Sequence, residues 1–120
     1  MRFAAWYSLV VGCLMLAQWT FFLAAGQVPE LRTEPYRIGF HLAGEAVTAM
    51  MLIVAGAGLL RGKTWARPVG MTALGLLIYT AIVSPGYFAQ QGVWPLVAMF
   101  AVILALALFS LRQLMRKAVG

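Results

Sequence analysis

The chain has 120 residues, 63% of them hydrophobic and only 10% charged. Soluble domains carry charge on roughly a quarter of their residues, and one this small cannot hide so much apolar surface from water. Lipid is therefore the expected solvent, and the net charge of +6 does not imply a nucleic-acid partner, because the nine Lys and Arg lie at segment ends and in short connections rather than on one soluble face.

Four apolar stretches follow in chain order, at about residues 3–25, 38–60, 66–83 and 93–111. Each is near the ~20 residues that a ~30 Å hydrocarbon core requires at 1.5 Å per residue. Backbone groups facing lipid must pair within their own segment, and nothing here alternates like a barrel strand. The predicted fold class is all-α: an integral membrane four-helix bundle forming one domain over residues 1–120.

The first stretch imitates a cleaved signal, with Arg2 ahead of an apolar run and the small residues Leu23-Ala24-Ala25 at its end. Val10-Val11-Gly12-Cys13 also imitates a lipoprotein box. The run continues past the cysteine and is long enough to span, so a retained first helix is expected. Cys13 is the single cysteine, which excludes an intrachain disulfide, and it is expected as a small buried hydrophobe. A polar loop carrying Pro29 and Pro35 spans residues 27–37.

The second stretch is anomalous. His41, Glu45, Thr48 and Leu52 follow i, i+4, i+7 and i+11 spacing beside Gly44 and share one helical face. An ionisable side chain inside a membrane helix costs a few kcal/mol by insertion scales and turns toward protein or water. Glu45 lies seven residues past Ile38, about 10 Å below that boundary. Gln18, seven residues short of the end of the first stretch, is level with it, and Tyr79 and Thr80 lie slightly nearer the boundary. The expected site is a polar cluster of Gln18, His41, Glu45, Thr48 and one of Tyr79 or Thr80.

Two roles for that cluster remain open on sequence. In one, Glu45 is protonated or hydrogen-bonded to Gln18 or Tyr79 and fastens helices together. In the other, it exchanges protons or binds a cationic substrate, with His41 gating access. A metal site is not expected, since one His and one Glu supply two ligands where four are usual; haem on His41 alone has no further support, and no cofactor is expected.

After the second stretch, Arg61-Gly62-Lys63-Thr64 forms a short turn with Gly62 as helix cap. Pro68 falls in the first turn of the third helix, where a missing N–H costs little. Ser84-Pro85-Gly86 ends that helix, and Gly92 and Pro95 open the fourth. The fourth stretch has no polar group except Ser110 and is expected to pack outside the polar cluster. Gly44, Ala55, Gly56, Ala57 and Gly58, with Gly70, Ala73 and Gly75, predict a tight hairpin of the second and third helices.

Seven basic residues (Arg2, Arg61, Lys63, Arg67, Arg112, Arg116 and Lys117) fall on one predicted side, against Arg32 and Arg37 on the other. By the positive-inside rule both termini face the cytoplasm of an inner (plasma) membrane. Trp6, Trp65, Trp94, Tyr36 and Tyr87 lie near predicted boundaries, as interfacial anchors do, whereas Trp19 lies deeper.

The run from Gly44-Glu45-Ala46 to Leu59-Leu60-Arg61-Gly62-Lys63-Thr64-Trp65-Ala66-Arg67 resembles the DoxX-like small membrane proteins. That family has four helices, an acidic residue in an inner helix, and an apolar Gly-rich run ending in a basic turn. The resemblance covers the second and third helices and implies an accessory subunit of a membrane complex, with Glu45 at the acidic position. Small multidrug transporters are similar in length and helix count. Their functional Glu lies in the first helix, however, where this chain has Gln18 and Cys13.

With no phosphate loop, no Ser/His/Asp or Cys/His set and no paired carboxylates, an enzyme is not expected. The leading expectation is an accessory or assembly subunit, with the bilayer and a membrane-protein partner or a second copy as its contacts. The alternative is a proton-coupled carrier of a small cation using Glu45 and His41.

Overall fold

The computed structural model describes residues 2–26 and 30–119. Gln27, Val28 and Pro29 of the expected loop lie outside the described residues, as do the side chains of Glu30 and Lys117. The chain is all-helical among the described residues: α1 (Arg2–Ala24), α2 (Glu30–Thr33), α3 (Pro35–Leu60), α4 (Ala66–Val83), α5 (Pro85–Gln90) and α6 (Trp94–Val119). Four helical spans are long and apolar enough to cross a membrane, counting α4 and α5 together.

α3 starts at Pro35, three residues before the apolar run, because a proline in the first turn gives up an N–H that has no intrahelical acceptor. It ends in a Schellman motif. Gly62 adopts φ +70°, Lys63 N–H donates to Gly58 O at 2.9 Å and Gly62 N–H to Leu59 O at 3.2 Å, so two end carbonyls are satisfied. α6 runs eight residues beyond the predicted limit at 111, since helical hydrogen bonding persists after the apolar pattern stops.

The predicted 84–93 connection is itself largely helical. Ser84 keeps helical dihedrals (φ −65°, ψ −38°) and its N–H donates to Thr80 O at 2.8 Å. Pro85 then has no N–H to give Ala81, which breaks the ladder and sets α5 apart from α4.

The four long helices run up and down, with α1 packed on α3, α3 on α4, α4 on α6, and a lesser α1–α6 contact closing the bundle. Six of the basic residues (Arg2, Arg61, Lys63, Arg67, Arg112 and Arg116) fall at the end where α1 begins and α6 finishes. Near this basic end the core is dense. Ala4, Tyr7, Leu52, Ala73, Leu74, Leu77, Ala107 and Leu114 form one buried cluster.

Small residues make this density possible. A Cβ on Gly12 would lie 2.7 Å from Ala49 O, and one on Gly56 would lie 2.7 Å from Ala5 O and 2.9 Å from Leu9 N. α1 and α3 therefore touch backbone to backbone, as small-residue stripes permit in membrane helices. On α1 the stripe is Ala4, Ser8 and Gly12, spaced i, i+4, i+8. Of the glycines expected in the hairpin contact, Gly58 meets Trp65 and Ala66, Gly70 meets Ala55 and Leu59 as well as Leu114 of α6, and Gly56 packs on α1 instead, while Gly44 and Gly75 have open space. Cys13 is exposed rather than buried, one residue away from the packed stripe and rotated ~100° from it. Tyr7 O–H donates to Ile103 O at 2.6 Å, and Ala4 N–H to Gln113 Oε1 at 3.3 Å, tying α1 to α6.

Candidate functional site

At the opposite end the helices part. A cavity of about 800 Å³ opens there, walled by α1, α3, α4, α5 and α6. Its position follows from where the small-residue contacts stop: every buried residue of α1 lies in its first half (Ala4 to Gly12) and every buried residue of α3 in its second (Thr48 to Gly58). Beyond Gly12, α1 presents Met15, Trp19 and Phe22 to the cavity, side chains too large for backbone contact.

Glu45 lies in the α3 wall with its side chain 11% exposed. Thr80 O–H donates to Glu45 Oε1 at 2.5 Å, and Thr80 Oγ1 lies 2.9 Å from Ser84 Oγ. A hydroxyl has one proton, so when Thr80 donates to Glu45, Ser84 must donate to Thr80. The order Ser84→Thr80→Glu45 suits a carboxylate; a protonated Glu45 can donate to Thr80 and reverse the chain. His41 Nε2 is 3.6 Å from the same Glu45 oxygen and is 41% exposed. The edge of Trp19 meets His41 with ring centroids 5.8 Å apart at 72°.

Of the predicted cluster, Glu45, His41, Gln18 and Thr80 line this one cavity. Gln18 does so without a hydrogen bond to Glu45 among the described side chains. Thr48 is buried and donates to Gly44 O at 2.8 Å within its own helix, so it is not in the wall. Tyr79 is 68% exposed and outside the cavity. One residue along a helix is a ~100° turn, so Thr80 faces inward where Tyr79 faces out.

Sequence reasoning missed three contributors. Ser84 was assigned only to the helix break, yet it extends the hydroxyl chain. α5 brings Tyr87 and Phe88 over the cavity, and α6, expected outside the cluster, supplies Met99, Phe100 and Ile103 as an apolar wall. A wall without polar groups leaves no mark in a search for polar groups. Phe88 and Phe100 stack with centroids 6.0 Å apart at 20°, and Trp19 and Phe22 meet edge to face at 6.1 Å on the α1 wall. Glu34 and Arg37 also line the cavity, paired at 3.3 Å and largely exposed.

The site thus offers a shielded carboxyl group with two hydroxyls and an imidazole in reach, inside an aromatic and aliphatic enclosure. Among the described residues no group of three or more His, Cys, Asp or Glu could hold a metal ion. No curated protein and no solved structure matches the chain. A family model described as a domain of unknown function (DUF8058) matches residues 1–119, and the chain belongs to that family.

Proposed function

We propose that this chain is a multi-pass protein of the inner (plasma) membrane, with both termini cytoplasmic, in which Glu45 exchanges a proton for a small cation. The observation that carries this reading is the Glu45 carboxyl group, 11% exposed, opening on a cavity of about 800 Å³. A group that only fastened helices would have no use for such a space. Charge inside a membrane is unfavourable unless compensated. With His41 neutral beside it, two species can compensate Glu45 in turn: a proton or a bound cation. The balance is one proton released from the carboxyl group for each monovalent cation taken up, leaving the site neutral in both states.

Every element around Glu45 fits that exchange. From α3 itself comes His41, from α4 Thr80, from α1 the uncharged Gln18 and Trp19, from α5 Tyr87, from the junction of α4 and α5 Ser84, and from α6 only apolar groups. Glu34 and Arg37 compensate each other. The orientation, with this cavity toward the outside, draws on the six described basic residues at the other end.

Vesicles holding the full chain and an entrapped pH indicator test the exchange. Adding tetraethylammonium or tetraphenylphosphonium outside should move protons, and Glu45→Gln should abolish the response. A response that survives Glu45→Gln unchanged removes the exchange reading. Tags on both tails that report from outside the cell would overturn the orientation.

An accessory or assembly subunit is the second reading, supported by the DoxX-like run around Glu45 and by the broad exposed apolar faces of α1 (Val10, Leu14, Phe21) and α6 (Val102, Leu108, Phe109). It predicts co-purification with a larger membrane complex in gentle detergent, and a monodisperse lone species counts against it.

A further inference from the structure

The exchange reading leaves the cation unspecified, and the cavity's size, charge and walls narrow it. Size comes first. At about 800 Å³ the space is in the range of sites for drug-sized molecules, roughly 300–1,000 Å³, and far above the ~30 Å³ share of one water. An inorganic ion would leave it almost empty. Charge comes second. Of the described acidic side chains in the wall, Glu34 is paired with Arg37 at 3.3 Å and Glu45 is the one held inside. With His41, 3.6 Å from Glu45 Oε1, in its neutral form, the one carboxylate matches one positive charge, and a dication would carry an unpaired charge into the enclosure. The walls come third. Trp19 and Phe22 stand on α1, Phe88 and Phe100 on α5 and α6, with Glu45 on α3. Ring faces attract cations and stack on aromatic groups.

We infer that the cavity takes a monovalent organic cation with an aromatic body, lodged between the Trp19–Phe22 and Phe88–Phe100 pairs with its charge toward Glu45. The inference rests on the exchange reading for the role of Glu45 and adds the chemistry of what is bound. An aliphatic cation of the same charge satisfies the carboxylate and meets the ring faces with its charge alone, without the stacking and apolar contact that an aromatic body adds. An aromatic anion of the same shape gains from the rings but meets the carboxylate as a like charge.

The test is calorimetric titration of the detergent-solubilised full chain with three probes. Tetraphenylphosphonium is the aromatic cation, tetraethylammonium the aliphatic one, and tetraphenylborate the aromatic anion of nearly identical shape. The expected result is one tetraphenylphosphonium per chain, bound about tenfold more tightly than tetraethylammonium through ring stacking, with no saturable tetraphenylborate binding. Glu45→Gln should weaken tetraphenylphosphonium about tenfold or more. Trp19→Ala and Phe100→Ala keep the carboxyl group; each should weaken tetraphenylphosphonium severalfold and tetraethylammonium by less, whatever Glu45→Gln does to folding.

Equal affinity for the two cations, both lost in Glu45→Gln, overturns the aromatic body and leaves the exchange reading standing. Tetraphenylborate binding as tightly as tetraphenylphosphonium, or affinity unmoved by Glu45→Gln in a folded variant, overturns the cationic ligand altogether. Glu45-dependent tetraphenylphosphonium binding without proton release supports the inference and removes the exchange.

Discussion

The two ends of this bundle are built from the same four helices and solve opposite problems. At the basic end Gly12 and Gly56 bring α1 and α3 into backbone contact, and Leu52, Leu74 and Leu114 are fully buried. At the other end Trp19, Phe22, Phe88 and Phe100 hold the helices apart around a cavity. Lipid tails are as apolar as a protein core, so membrane helices associate through close packing rather than through escape from water. The dense half supplies that packing, and the cohesion it provides lets the other half stay open around a carboxyl group.

Substitutions should separate the halves. The largest effect is expected from Gly56→Ala, which forces α1 off α3 because the new methyl meets backbone atoms of Ala5 and Leu9. A loss of about 3 kcal/mol is expected, read by thermal unfolding in detergent. Gly44→Ala, with open space around it, should be neutral or slightly stabilising, and equal losses at the two glycines would break the comparison. Next comes Leu52→Ala in the core, at about 2 kcal/mol from lost packing; Met99→Ala in the cavity wall, 39% exposed, should cost less than half of that. Tyr7→Phe removes the hydrogen bond to Ile103 O and should cost about 1 kcal/mol. Thr80→Val should also cost little, under about 1 kcal/mol. That change should nevertheless shift the Glu45 carboxyl band in the infrared, and Thr80→Ser should restore it. An unshifted band would mean that the hydroxyl chain is not formed.

Much of the architecture was legible because a helix long and apolar enough to cross a membrane follows one rule over its whole length: apolar side chains around a self-satisfied backbone. The four stretches, the cap at Gly62 and the paired depth of Gln18 and Glu45 follow from counting residues at a fixed rise. Short helices escape such counting. α5 has six residues, too few for a periodic pattern, and Pro85 reads equally as an end or as a break. Rotation about a helix axis is also harder to read than depth. Thr48 is at nearly the right level, yet its hydroxyl turns back to Gly44 O, a local bond always open to a helical threonine. Tyr79 and Thr80 share a depth and differ in azimuth, which only the packing of α4 against α3 and α6 decides.

The break at Pro85 has a consequence for the cavity wall. Ala81, four residues earlier, lines the cavity, and its carbonyl oxygen is the one that an uninterrupted helix would have supplied with an amide hydrogen. A ring nitrogen that cannot donate thereby leaves this main-chain oxygen without its usual amide donor from the next turn. Any ammonium, hydroxyl or water that came within reach would find a second place to bond besides the carboxyl group.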